Sequence, residues 1–110
     1  EATAGEPTSF YVMVMKVEED PGGFWFRGTS VDLDVADMYD EDGNRLGGMV
    51  NKSSLEYGPL ARISATFDDP GQYECQVHVV FRVYESMRIG FLPLEDVDMT
   101  VDFSEYVNVQ

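Results

Sequence analysis

Apolar and polar positions along this chain alternate with period two over long stretches. The clearest run is Gln72 to Tyr84. Tyr73, Cys75, Val77, Val79, Phe81 and Val83 fall on one face, and Glu74, Gln76, His78, Val80, Arg82 and Tyr84 on the other. A strand turns successive side chains to opposite faces, so this run predicts a central strand with one face in the core. In Thr29 to Tyr39, Val31, Leu33 and Val35 alternate with Asp32, Asp34 and Ala36. Asp37 then falls in step with the apolar set. A bulge near Ala36 is expected to correct the parity and turn Met38 outward. Leu60 to Phe67 places Ile63, Ala65 and Phe67 together. Val97 to Phe103 sets Val97, Met99, Val101 and Phe103 against Asp96, Asp98, Thr100 and Asp102. Phe10 to Val17 is almost continuously apolar and reads as a strand buried on both sides. Phe24 to Phe26 opens another short strand, and Ile89 to Leu94 is a short strand or irregular run broken by Pro93. No window carries the i, i+3, i+4 spacing of a long amphipathic helix.

Turn chemistry divides these runs. Pro21, Gly22 and Gly23 stop the first strand. Asp40 to Asn44 is the strongest turn signal, because Gly43 and Asn44 tolerate left-handed backbone and the aspartates accept hydrogen bonds from the turn. Arg45 to Val50 is expected to return antiparallel, weakened by Gly47 and Gly48, with Asn51 to Pro59 as a loop. Asp68 to Gly71 turns the chain into the long strand. These signals predict an all-β fold, a single antiparallel β-sandwich of about seven to eight strands, immunoglobulin-like or jelly-roll-like. The expected organisation is a flexible N-terminal segment, residues 1–9, and one domain over residues 10–110.

Composition narrows the classes of partner. The chain has 110 residues, enough for one core, and 44% of them are hydrophobic. Twenty-one Asp and Glu oppose seven Lys and Arg, for a formal net charge of -14. Phosphate contacts need basic side chains, so nucleic acid and anionic membrane surfaces are excluded as partners. The acidic excess suits a high-salt environment, cation binding or a basic partner. No run approaches the ~18 to 20 apolar residues that span a bilayer. Asn51-Lys52-Ser53 is an N-glycosylation sequon. An extracellular or surface-exposed location is the expectation.

The stretch from Asp69 to Cys75, D-P-G-Q-Y-E-C, resembles the immunoglobulin-superfamily signature D-x-G-x-Y-x-C. The resemblance implies a two-sheet sandwich in which Tyr73 is the tyrosine-corner residue, Cys75 the second disulfide cysteine and Trp25 the buried tryptophan. Met13 or Val12 stands where the first cysteine belongs, so that disulfide is absent. Asp32 through Asn44 and Phe67 through Cys75 are also similar to the Golgi-dynamics (GOLD) type of sandwich, with the cysteine one place early. Both families use sandwiches for protein contact, and both resemblances imply a binding role.

Candidate chemistry is sparse. Asp37, Asp40, Asp42 and Asn44, with Glu41, gather hard oxygen ligands on one hairpin, the chemistry of a weak Ca²⁺ site. Their spacing is not that of an EF-hand, and the alternative is a solvated turn. His78 is the single histidine, and by parity Cys75 points to the opposite face, so the two cannot form a nucleophile and base. Cys75 fills core volume as a small hydrophobe. No serine elbow or phosphate loop is present, so no enzyme is expected and no cofactor beyond weak Ca²⁺. Phe24, Phe26, Val80, Tyr84, Met87 and Phe91 are apolar groups in excess of one small core and form the expected interaction patch. The favoured function is a non-enzymatic protein-interaction or recognition module with a protein partner. The alternatives are a structural subunit of a virion or surface assembly, including a homo-oligomer, and a weak cation-dependent ligand or carbohydrate binder.

Overall fold

The computed structural model describes residues 2–15, 27–56, 58–87 and 97–110, with the backbone alone at 27–30, 84–87 and 97. Six strands are present among them: β1 (Pro7–Met13), β2 (Arg27–Tyr39), β3 (Arg45–Leu55), β4 (Gly58–Thr66), β5 (Gly71–Met87) and β6 (Val97–Val109). They form one antiparallel sheet in the order β1-β4-β3-β2-β5-β6, curled into a half-barrel. Strands β2, β3 and β4 follow one another as hairpins. β1 lies beside β4 and β5 beside β2, which makes two overlapping Greek keys. The 17 residues of β5 at about 3.3 Å each span about 56 Å, and the long axis of the molecule is 57 Å.

This architecture overturns the expected sandwich and, with it, the immunoglobulin-like, jelly-roll-like and GOLD-type readings. β2 is hydrogen-bonded to β3 on one side and to β5 on the other, so strands expected in two sheets are continuous in one. The motif behind the immunoglobulin resemblance is a local corner. The Tyr73 hydroxyl donates to the Asp69 carbonyl at 2.6 Å, and the Tyr73 ring lies 4.9 Å from that of Phe67. A tyrosine following a tight turn closes such a contact without a second sheet. Six strands are present among the described residues, and two of them run longer than expected. Asn51 to Leu55, expected as loop, continue β3, and Ser104 to Val109 continue β6. The strands expected at Phe24 to Phe26 and Ile89 to Leu94, and Trp25, lie outside the described residues.

The parity slip in β2 is resolved earlier than expected. The register against β5 jumps between Leu33 and Val35, which places the bulge at Asp34. Leu33, Ala36 and Met38 are then all fully buried, so Met38 points inward rather than outward. A bulge at this position also turns the Asp37 carboxylate out of the core, where burial would be costly. Further bulges in β3 lie at Leu46, between Met38 and Tyr39 of the facing strand, and at Val50. Gly47 belongs to this crowded region. A Cβ there would collide with the Ser64 carbonyl and lie 2.7 Å from the Ala65 Cα.

The core is built from Leu33, Ala36 and Met38 of β2, Ala61, Ile63 and Ala65 of β4, Phe67 just after β4, Cys75, Val77 and Val79 of β5, and Val107 and Val109 of β6. Ala2 completes it at 2% exposure. Residues 2–4 fall in the segment expected to be flexible. Ala2 N–H donates to Asn108, Gln110 N–H donates to Ala2 and Ala4 N–H donates to Gln110, at 3.2, 2.9 and 2.8 Å. This arm runs parallel to the end of β6. A turn with Gly5 at φ 80° then reverses the chain into β1. The arm laces one end of the half-barrel shut. The accessible surface is 7534 Å², against roughly 6,000 Å² for a compact chain of this mass.

Candidate functional site

The register of β5 on β6 places Phe81 opposite Met99, Val79 opposite Val101, Val77 opposite Phe103 and Cys75 opposite Glu105. Directly paired residues point to the same face of a sheet, so Met99, Val101, Phe103 and Glu105 all occupy the core face. Val77 and Val79 are buried, but Met99, Val101 and Phe103 are 46, 43 and 38% exposed. β6 lies at the edge of the sheet. Among the described residues, its outer side is paired only at its end, with the Ala2 arm. An apolar face and a row of free backbone groups therefore coincide along Met99 to Glu105.

The other face of the sheet is polar and ordered by charge. Arg45, Asp37, His78 and Asp102 form a row across β3, β2, β5 and β6. Arg45 lies 3.2 Å from Asp37, Asp37 is register partner to His78, and His78 Nδ1 lies 2.6 Å from Asp102. A second row joins Lys52, Asp32, Arg82 and Asp98. Lys52 lies 2.8 Å from Asp32 and also donates to the Leu33 carbonyl at 3.0 Å, Asp32 is paired in register with Arg82, and Arg82 lies 2.7 Å from Asp98. Lysine 52 thus spans the place where β3 and β2 separate. Its hydrogen bond holds the Asp32 carboxyl below its ordinary value, and Arg82 does the same for Asp98. The basic residues sit between the carboxylates of neighbouring strands and relieve repulsion in a chain of this charge.

The acidic hairpin is a self-capped turn. One Asp40 carboxylate oxygen accepts from the backbone N–H groups of Asp42 and Asn44, at 2.9 and 2.8 Å, and the other accepts from the Asn44 side chain at 3.2 Å. The Asn44 backbone bond is the chief cause of the lowered Asp40 pKa. Asp37 is occupied by Arg45. Among the described residues, no three His, Cys, Asp or Glu side chains converge as a metal ion requires. The Glu41 carboxylate accepts from the Glu74 backbone at 3.2 Å. An open recess of about 360 Å³ lies there, lined by Glu41, Gln72, Glu74, Tyr106 and Asn108 among others.

Cys75 is free and fully buried. Burial pushes its thiol up to about 11, and the charges of Asp40, Glu105 and Glu41 act the same way. His78 stands on the polar face, so the thiol faces away from the one imidazole.

Of the apolar residues singled out by sequence, Val80 is half-buried on the polar face, between Val35 and Thr100. Tyr84 and Met87 lie in β5, paired with Ser30 and Arg27. Phe24, Phe26 and Phe91 lie outside the described residues. Sequence reasoning placed Met99, Val101 and Phe103 on one apolar face but did not single them out as an interaction surface. Their alternation is visible in the sequence, but their position on an edge strand is not. Comparison of the chain with protein-family models, with curated proteins and with solved structures finds no match.

Proposed function

We propose that this domain is a non-enzymatic protein-interaction module that receives its partner on the core face of β6. The observation that carries this reading is the coincidence of Met99, Val101 and Phe103, all at least 38% exposed, with a sheet edge whose backbone groups are free among the described residues. Exposed apolar area next to a free edge is the surface through which sheets add strands or dock partners. The net charge of -14 favours a partner that is basic where it meets the sheet.

A photo-crosslinking side chain placed at position 101 tests this in the cell that makes the protein, with position 62 on the far side of the sheet as reference. The expected result is one discrete adduct from position 101 and none from position 62. Unlabelled protein should compete for that adduct, and its Val101→Asp variant should not. Equal adducts from both positions, or none from position 101, would overturn the reading.

A further inference from the structure

Resting on that reading, we infer that the partner enters as an extended strand running parallel to β6. It carries apolar residues at alternate positions beside Met99, Val101 and Phe103, and a lysine or arginine beside Glu105. The direction comes from the arm. Ala2 to Ala4 already occupy the outer side of β6 at its end, hydrogen-bonded in parallel register with Val109 as the bridge partner of Ala2. They form the first piece of a seventh strand. In the same register, the place beside Val107 lies two positions before Ala2, beside Glu105 four, and beside Phe103 six. From Met99 to Glu105, that line holds no strand among the described residues.

The side-chain pattern comes from β6 itself. In a parallel pair, neighbouring residues share a face, so a strand beside β6 presents every second side chain to the core. Three successive core-facing positions, Met99, Val101 and Phe103, are apolar, and an apolar partner there would cover surface now in water. The fourth, Glu105, is a carboxylate on the core face, exposed and close enough to the buried Cys75 to raise its pKa. A basic side chain beside it neutralises a charge that an apolar one would desolvate. A second copy of this chain fits poorly. Two β6 edges brought together would gather Asp98, Asp102 and Glu105 of both copies along one seam, on molecules each carrying -14. An added strand draws its affinity from main-chain hydrogen bonds and its selectivity from alternate side chains.

Two capped synthetic peptides separate the outcomes. VTITVTK matches Met99 to Glu105 in the parallel direction, and its reversal, KTVTITV, matches only in the antiparallel one. Calorimetry on the full 110-residue chain at low salt should show the forward peptide binding at least about tenfold tighter than the reversed one. Amide exchange along β6 should slow in the forward complex. Glu105→Lys lies on an exposed side chain and should fold. It should abolish the preference for VTITVTK and transfer it to VTITVTE. Equal or reversed preference overturns the inference, as does binding indifferent to the charge exchange. So does self-association of the chain without peptide through the same edge. Absence of peptide binding alongside a discrete adduct from position 101 overturns strand addition and leaves the module reading standing. Absence of both removes the module reading as well.

Discussion

Val77 and Phe103 face each other directly across β5 and β6, yet Val77 is 3% exposed and Phe103 is 38% exposed. Both point to the core face of the same sheet. The difference is that β5 has neighbours on both sides and β6, among the described residues, has one along this stretch. Curling brings β4 over β2, and among the described residues no strand pairs with the outer side of β6 from Met99 to Glu105. The apolar character of Met99, Val101 and Phe103 therefore contributes little to the core as it stands.

Substitutions on the two strands should separate accordingly. Phe67→Ala removes a fully buried ring and should cost about 3 to 5 kcal/mol. Phe103→Ser and Val101→Thr should each cost about 1 kcal/mol or less, within the range of exposed positions. Urea titration of the three variants measures this. A Phe103→Ser loss as large as that of Phe67→Ala would mean that this face is covered.

The Cys75 thiol should react slowly with a disulfide reagent at pH 8 in the native state and rapidly after unfolding. Its pKa is raised to about 11 from 9.0, so the folded chain holds this proton more tightly than the unfolded one. That contribution to stability is present below about 9 and is lost as pH rises toward about 11. Cys75→Ala should therefore flatten part of the alkaline decline in melting temperature. An unchanged alkaline slope would contradict the assignment.

Acid should destabilise the fold through Asp32, Asp40 and Asp98, whose pKa values all lie below the ordinary 3.8. A depressed carboxyl pKa gives stability that is present above the unfolded value and lost as pH falls through the folded one. Melting temperature should hold between pH 7 and pH 5, as far as these groups are concerned, and decline below about 4. Arg82→Gln should shrink the acid decline, and added salt should shrink the part due to Lys52 and Arg82. A decline independent of both would place its origin elsewhere.

The hairpin should bind Ca²⁺ no more tightly than about 10⁻⁴ M, because Asp40 already accepts hydrogen bonds within the turn and Asp37 is paired with Arg45. Replacing Asp40 and Asp42 together by Asn should leave the fold intact, since an amide oxygen still accepts from the Asn44 backbone. Calorimetry showing micromolar affinity that this double change abolishes would make the cation central to the protein.

The sequence by itself determined that the chain is all-β, that Cys75, Val77 and Val79 share a buried face, and that Asp40 to Asn44 reverses the chain. These follow from local rules: the two-residue period of a strand, and the side-chain oxygens and glycine a tight turn demands. The tertiary structure alone decided the rest. Whether strands make one sheet or two depends on which edges pair. β2 bonds to both β3 and β5, a long-range choice that alternation leaves open, because each strand would show the same period in a sandwich. The bulge at Asp34 depends on register against β5, so the side taken by Met38 was beyond a rule read along β2 alone. The same holds for β6. Val107 is 9% exposed and Val101 43% on one alternating face, and the difference is the Ala2 arm, which among the described residues lies beside the end of β6.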